Sequence, residues 1–155
     1  WLEGTLQDKL VGSDKAKLKT VVQDTLDWLD KAQSAEKGDF DAKRCALESV
    51  VKTIQSNADA RRRLEAYCFT TQDNWLEGTL QDKLVGSDKA KLKTVVQDTL
   101  DWLDKAQSAE KGDFDAKRCA LESVVKTIQS NADARRRLEA YCFTTQDNWL
   151  EGTLQ

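Results

Sequence analysis

The sequence predicts an all-α protein in which long helices are shared between successive bundles to give an extended rod. Three observations lead there. The 155 residues contain no Pro and only 7 Gly, so little along the chain interrupts a helix. Apolar residues recur at spacings of three and four and do not alternate, which is the helical period. The sequence also repeats: Trp-Leu-Glu-Gly-Thr-Leu-Gln stands at 1–7, 75–81 and 149–155, a period of 74 residues.

Within one period the first helix is predicted over 13–33. Leu18, Val21, Val22, Leu26 and Leu29 form one apolar stripe. Ser13, after Gly12, is a natural N-cap, and Asp14 suits the positive end of the helix dipole. Ser34 offers a second cap, and Gly38 loosens the turn before Phe40. From 39 to 81 the pattern predicts a single helix of about 40 residues, roughly 60 Å long. Its stripe runs through Phe40, Leu47, Val50, Val51, Ile54 and Ala58. It resumes at Leu64, Tyr67, Cys68, Thr71, Trp75, Leu76 and Leu80. The polar waist between them, 56–63, holds no breaker, and Gly78 is the only weak point before a loop at 82–87. A helix of that length needs two neighbouring cores, one on each side of the waist.

Every residue of 1–74 recurs unchanged at 75–148, and 149–155 begins a third copy. Copies that drift independently acquire differences, so perfect identity favours deliberate duplication over a recent natural one.

Composition narrows the chemistry. The chain is 39% hydrophobic and 33% charged with net charge −3, enough to bury a core and too acidic to favour nucleic acid. No apolar run approaches the roughly 20 residues of a membrane helix, and no basic segment followed by an apolar stretch suggests a signal peptide. The absence of Met implies that translation did not begin at Trp1. With no His, the Ser-His, Cys-His and His-metal arrangements are excluded. Cys45, Cys68, Cys119 and Cys142 lack metal-ligand spacing. Asp24, Asp27, Asp30, Asp39 and Asp41 ride among lysines with no apolar pocket to raise a pKa, so no general acid is expected. Arg61–Arg63 and Arg135–Arg137 read as a solvated face, since no aromatic platform accompanies them. Trp28 and Trp102, beside Leu29 and Leu103, read as core or bundle-edge aromatics. No catalytic residue, cofactor, metal or small-molecule substrate is expected.

Leu64-Glu65-Ala66-Tyr67-Cys68-Phe69, followed in register by Trp102-Leu103-Asp104-Lys105, Ala109-Glu110-Lys111, Phe114 and Leu121-Glu122-Ser123-Val124, resembles the DnaK-type (seventy-kilodalton class) heat-shock chaperones. The resemblance is to the helical lid of their substrate-binding region and runs from Leu64 to about Val125 without a gap. There are departures. Where the family has an Asn-Pro pair, this chain has Lys126-Thr127, which lets one lid helix continue into the next copy. Gly112 and Cys119 stand where the family more often carries charge. The nucleotide-binding domain, the peptide-binding β-sandwich and the acidic C-terminal tail have no counterpart, so the resemblance implies a fold without ATPase activity or peptide grip. It leaves localisation open, cytoplasmic if the unit came from a cytosolic chaperone.

The resemblance further implies three-helix bundles. One complete bundle would occupy about 58–130, with helices near 58–81, 87–107 and 113–130. The N-terminal part then has the second and third helices with only a stub of the first, and the C-terminal part is a lone first helix. Leu18, Val22 and Leu29 at one end, and Leu138, Tyr141, Trp149 and Leu150 at the other, are left without a core. Each such side chain gains about 1.5–3 kcal/mol on burial. Repeat arrays normally cover such ends with polar caps. Head-to-tail self-association satisfies both ends, and fraying or a swapped closed dimer are the alternatives. In the same bundle Cys68 and Cys119 would sit at similar heights on parallel helices, which suggests a disulfide. Cys142 would meet Cys45 of the next molecule in the same way. The alternative is four thiols packed as small hydrophobes. Cys45 and Cys68, roughly 34 Å apart on one helix, cannot pair. The reading is an engineered helical repeat scaffold with self as its partner. The alternative is a chaperone-derived interaction or oligomerisation module.

Overall fold

The computed structural model describes Leu10, residues 12–78 and residues 84–152, with backbone alone at 148 and 150–152. All of its regular elements are helical: α1 (Gly12–Lys31), α2 (Lys37–Thr71), a π-helical turn (Gln72–Glu77), α3 (Gly86–Lys105) and α4 (Lys111–Gly152). No strand occurs among the described residues, and no helix among them is long and apolar enough to cross a membrane. The all-α expectation holds.

The helices start differently from the serine-capped ends expected. Ser13 lies inside α1, and its hydroxyl donates to the Gln107 carbonyl. Ser34 lies in the turn before α2. The cap of α2 comes from Asp39, whose Oδ2 accepts the Glu36 N–H at 3.0 Å while the Glu36 carbonyl accepts the Asp39 N–H at 2.9 Å. This is the reach-back half of a capping box, with Asp in place of Glu. Asp113 and Glu110 repeat it at α4, with both bonds at 2.9 Å.

The predicted 39–81 helix is shorter and ends in a different hydrogen-bonding pattern. The α-helix stops at Thr71, one π-turn follows, and Gly78 leaves in an extended conformation with φ −98° and ψ −162°. A Cβ on Gly78 would lie 2.5 Å from the Asp73 carbonyl oxygen, so the close return of the backbone there requires glycine. The same sequence in the second copy stays α-helical through Gly152, which makes α4 a helix of 42 residues. Both α2 and α4 pass through their Lys-Thr pairs without a break, as expected for helices lacking the proline.

The chain divides into two compact units, each drawing on both sequence copies. The first contains α1, α2 up to Ala66, and the α3–α4 tip from Leu100 to Lys117. Ile54, Ala58, Ala60, Leu64, Leu103 and Phe114 are its buried apolar residues. Ala58, the last residue of the expected apolar stripe before the gap, and Ala60 both lie in the segment expected to be a polar waist. Small side chains let that stretch be buried while Arg62 and Arg63 stay exposed. The second unit contains the end of α2 from Tyr67, most of α3, and α4 from Arg118. Cys68, Leu92, Val96, Leu121, Val125, Ile128 and Ala132 are buried there, with Thr71 and Thr99. Thr99 satisfies its hydroxyl by donating to the Val95 carbonyl at 2.7 Å.

Candidate self-association faces

The two helical hairpins, α1–α2 and α3–α4, are built identically at their tips. Trp28 meets Phe40 edge-on with ring centroids 5.5 Å apart at 72°, and Trp102 meets Phe114 with the same values. Lys43 Nζ lies 5.3 Å from the Trp28 ring centroid, and Lys117 Nζ lies 5.2 Å from that of Trp102. These tryptophans are hairpin-edge aromatics carrying a cation–π contact, in keeping with their expected structural role.

Burial is what differs. Phe114 is 3% exposed and its counterpart Phe40 is 40% exposed; Leu103 is 3% exposed and Leu29 is 46% exposed. Leu92 and Val96 are buried, whereas Leu18 and Val22 are half-buried. At the other end Leu64 is fully buried while Leu138, the same residue one period later, is 64% exposed. Tyr141, Phe143 and Trp149 are also exposed. Leu26 and Phe40, members of the apolar stripes that were not among the faces expected to associate, are exposed as well, whereas Phe143 is exposed in the same way as its mid-chain counterpart Phe69. The side chain of Leu150 lies outside the described residues.

The cysteines form no disulfide. Cys68 is fully buried, whereas Cys45, Cys119 and Cys142 are exposed. Height along a helix made Cys68 and Cys119 candidates, but rotation around the helix separates them. At 100° per residue Cys119 points about 140° away from the face carrying Phe114, Leu121, Val125 and Ile128. A Cys68–Cys119 bond would require one thiol to leave its side of the helix.

Polar contacts hold the second hairpin's tip within its unit. Asn57 Oδ1 accepts the Lys111 N–H at 2.9 Å, which satisfies one of the donors left over at the start of α4. In the second unit the Tyr67 phenol is raised above its ordinary pKa, first by burial and then by the negative charge of Glu122. Cys68 adds to the rise, while a hydrogen bond with the Thr71 side chain and the charge of Arg118 oppose it. The arginine runs do not present one basic surface. Arg62 pairs with Asp59, Arg136 with Asp133, and Arg135 Nε with Glu139 Oε1 at 2.7 Å. Arg61 turns inward and leaves a buried Nη1 without a hydrogen-bond partner.

No family model matches the chain. A stretch of 73 residues is 38% identical to heat shock 70 kDa protein 2 of Paracoccidioides lutzii, covering 47% of this chain and 11% of that protein. Luminal-binding protein 3 of Nicotiana tabacum is 37% identical over 78 residues, covering 50% of this chain and 46% of that protein. Heat shock cognate 70 kDa protein 3 of Dictyostelium discoideum is 36% identical over 72 residues, 46% of this chain and 11% of that protein. The chain therefore spans a small part of the two heat-shock relatives and under half of the luminal-binding one, and each matched stretch is about one 74-residue period long. About half of this chain is similar to a short stretch of seventy-kilodalton heat-shock and luminal-binding proteins, a likeness that supports an origin of this helical region in that family.

Proposed function

We propose that the chain is a non-catalytic helical repeat scaffold, engineered by duplicating a chaperone-lid-like unit, whose open ends associate head to tail. One observation carries this reading. The same apolar stripe is buried in the middle of the chain and uncovered at its ends, as with Leu64 against Leu138 and Phe114 against Phe40. The exposed tail carries the sequence that the second hairpin covers in the middle of the chain, and the exposed N-terminal hairpin carries the sequence of that second hairpin. A second copy therefore supplies each end with the sequence that covers its counterpart. Such a contact is heterologous, and unless it closes into a ring it propagates. The exact identity of the copies supports deliberate duplication.

Size exclusion with light scattering over a concentration series tests the association. The mass should climb from 17.5 kDa with concentration, and a constant 17.5 kDa would contradict it. The similarity to chaperones favours one second reading, an interaction module that retains binding to unfolded clients. An aggregation assay separates the two: a scaffold gives a denaturing client no protection, and an interaction module suppresses its light scattering.

A further inference from the structure

We propose that the tail of one molecule seats on the head of the next in the register this chain already uses internally, so that association seals Cys142 and leaves Cys45 open. This rests on the head-to-tail reading and adds its geometry. Each unit supplies a template by itself. In the second unit, residues 67–77, 86–99 and 118–132 lie in one compact body in which Cys68, Thr71, Leu92, Val96 and Leu121 are buried. Shifted by the period of 74, these segments become the tail 141–151 and the head 12–25 and 44–58. Seating the tail in that way buries Cys142 and Thr145 against Leu18, Val22 and Leu47 of the next molecule.

The first unit adds a polar pin with the same offset. There Asn57 Oδ1 accepts the Lys111 N–H at 2.9 Å, and the Ser13 hydroxyl donates to the Gln107 carbonyl. One period later Asn131 is exposed, and Lys37 is exposed at the start of α2. In the shared register Asn131 of one molecule accepts the Lys37 N–H of the next. Tyr141 then stands near Glu48 and Arg44 of the next molecule, as Tyr67 stands near Glu122 and Arg118. Two compact units point to a single offset, and this fixes the register.

The cysteines read that register. Cys68 is fully buried and Cys119 exposed on the far side of α4, so their counterparts Cys142 and Cys45 cannot join two molecules in this seat. The test is maleimide labelling of the full-length chain with Cys119→Ser, in dilute and concentrated samples whose mass is followed by light scattering. Trypsin releases Cys68 and Cys142 in different peptides, 64–83 and 138–155. With Cys119 replaced, the peptide 45–52 reports Cys45 alone. Labelling of Cys142 should slow about tenfold or more in the associated sample, while that of Cys45 stays unchanged, because a sealed thiol is kept from reagent. Asn131→Ala should shift the concentration midpoint of association upward and leave the thermal unfolding of the dilute protein unchanged.

A climbing mass with Cys142 still reactive, or with Cys45 and Cys142 cross-linked on oxidation, would overturn this register and leave head-to-tail association standing. A mass fixed at 17.5 kDa at every concentration would overturn both.

Discussion

The α1–α2 and α3–α4 hairpins share one sequence and one local geometry at their tips, yet only the second tip is buried. Their Trp–Phe contacts, their lysine–tryptophan contacts and their Asp-based caps agree closely. Phe40 and Leu29 remain exposed where Phe114 and Leu103 are covered. Short-range structure here is set by residues within a few positions. Burial is decided by which other helices stand beside the hairpin, and no local feature of the sequence encodes that. The chain is therefore its own control, since a substitution made at both members of a pair differs only in surroundings.

The largest difference should come from leucine. Leu64→Ala should cost about 2–5 kcal/mol, as for a buried leucine that leaves a cavity. Leu138→Ala should stay within about 0.5 kcal/mol in the dilute protein, where that side chain is mostly exposed. Urea unfolding of the two variants checks this, and equal losses would break the comparison.

Glycine comes next. Gly78→Ala places a methyl group against the Asp73 carbonyl and should cost about 1–3 kcal/mol, since the backbone must shift. Gly152→Ala, at the end of a continuous α-helix, should cost nothing and can add up to about 1 kcal/mol, the helix-propensity difference between the two residues. Thermal unfolding by circular dichroism distinguishes the pair.

A smaller effect is expected at asparagine. Asn57→Ala removes the acceptor of the Lys111 N–H and should cost about 1 kcal/mol, the usual size for a lost helix cap. Asn131→Ala should leave the stability of the dilute chain unchanged.

The last effect concerns pH. Tyr67 has a folded-state pKa raised above its unfolded value, so the folded state holds that proton more tightly. Its contribution is complete below the ordinary tyrosine pKa of about 10 and is lost as pH rises through the raised value. Stability should therefore fall with alkaline pH less steeply in Tyr67→Phe than in the parent, measured as urea midpoints between neutral and strongly alkaline pH.

Much of this was legible in the residues. The three-and-four spacing of Leu18, Val22 and Leu29 located α1 to within two residues at each end. The missing proline at Lys126-Thr127 foretold the continuity of α4. The caps were misplaced because serines near a turn are common, and the acid at the third helical position had to be weighed against them. Ala58 was legible as the end of the apolar stripe, but the burial of Ala60 was not, because alanine suits either side of a helix. Rotation around α4 was available from counting and would have separated Cys119 from Cys68. The different endings of Gln72–Gly78 and Gln146–Gly152 were not legible at all, because an identical heptapeptide cannot encode two outcomes. The surroundings of each segment decide whether its helix stops.

The most direct test of complementary ends uses two damaged chains. Val22→Asp spoils the head and leaves the tail; Leu138→Asp spoils the tail and leaves the head. Each alone should remain at 17.5 kDa by light scattering at concentrations where the parent grows. Mixed in equal amounts, they should form a complex of twice that mass and stop there, because only one good head and one good tail remain per pair. Growth of either variant alone, or a mixture that stays monomeric while the parent associates, would contradict the pairing of head with tail.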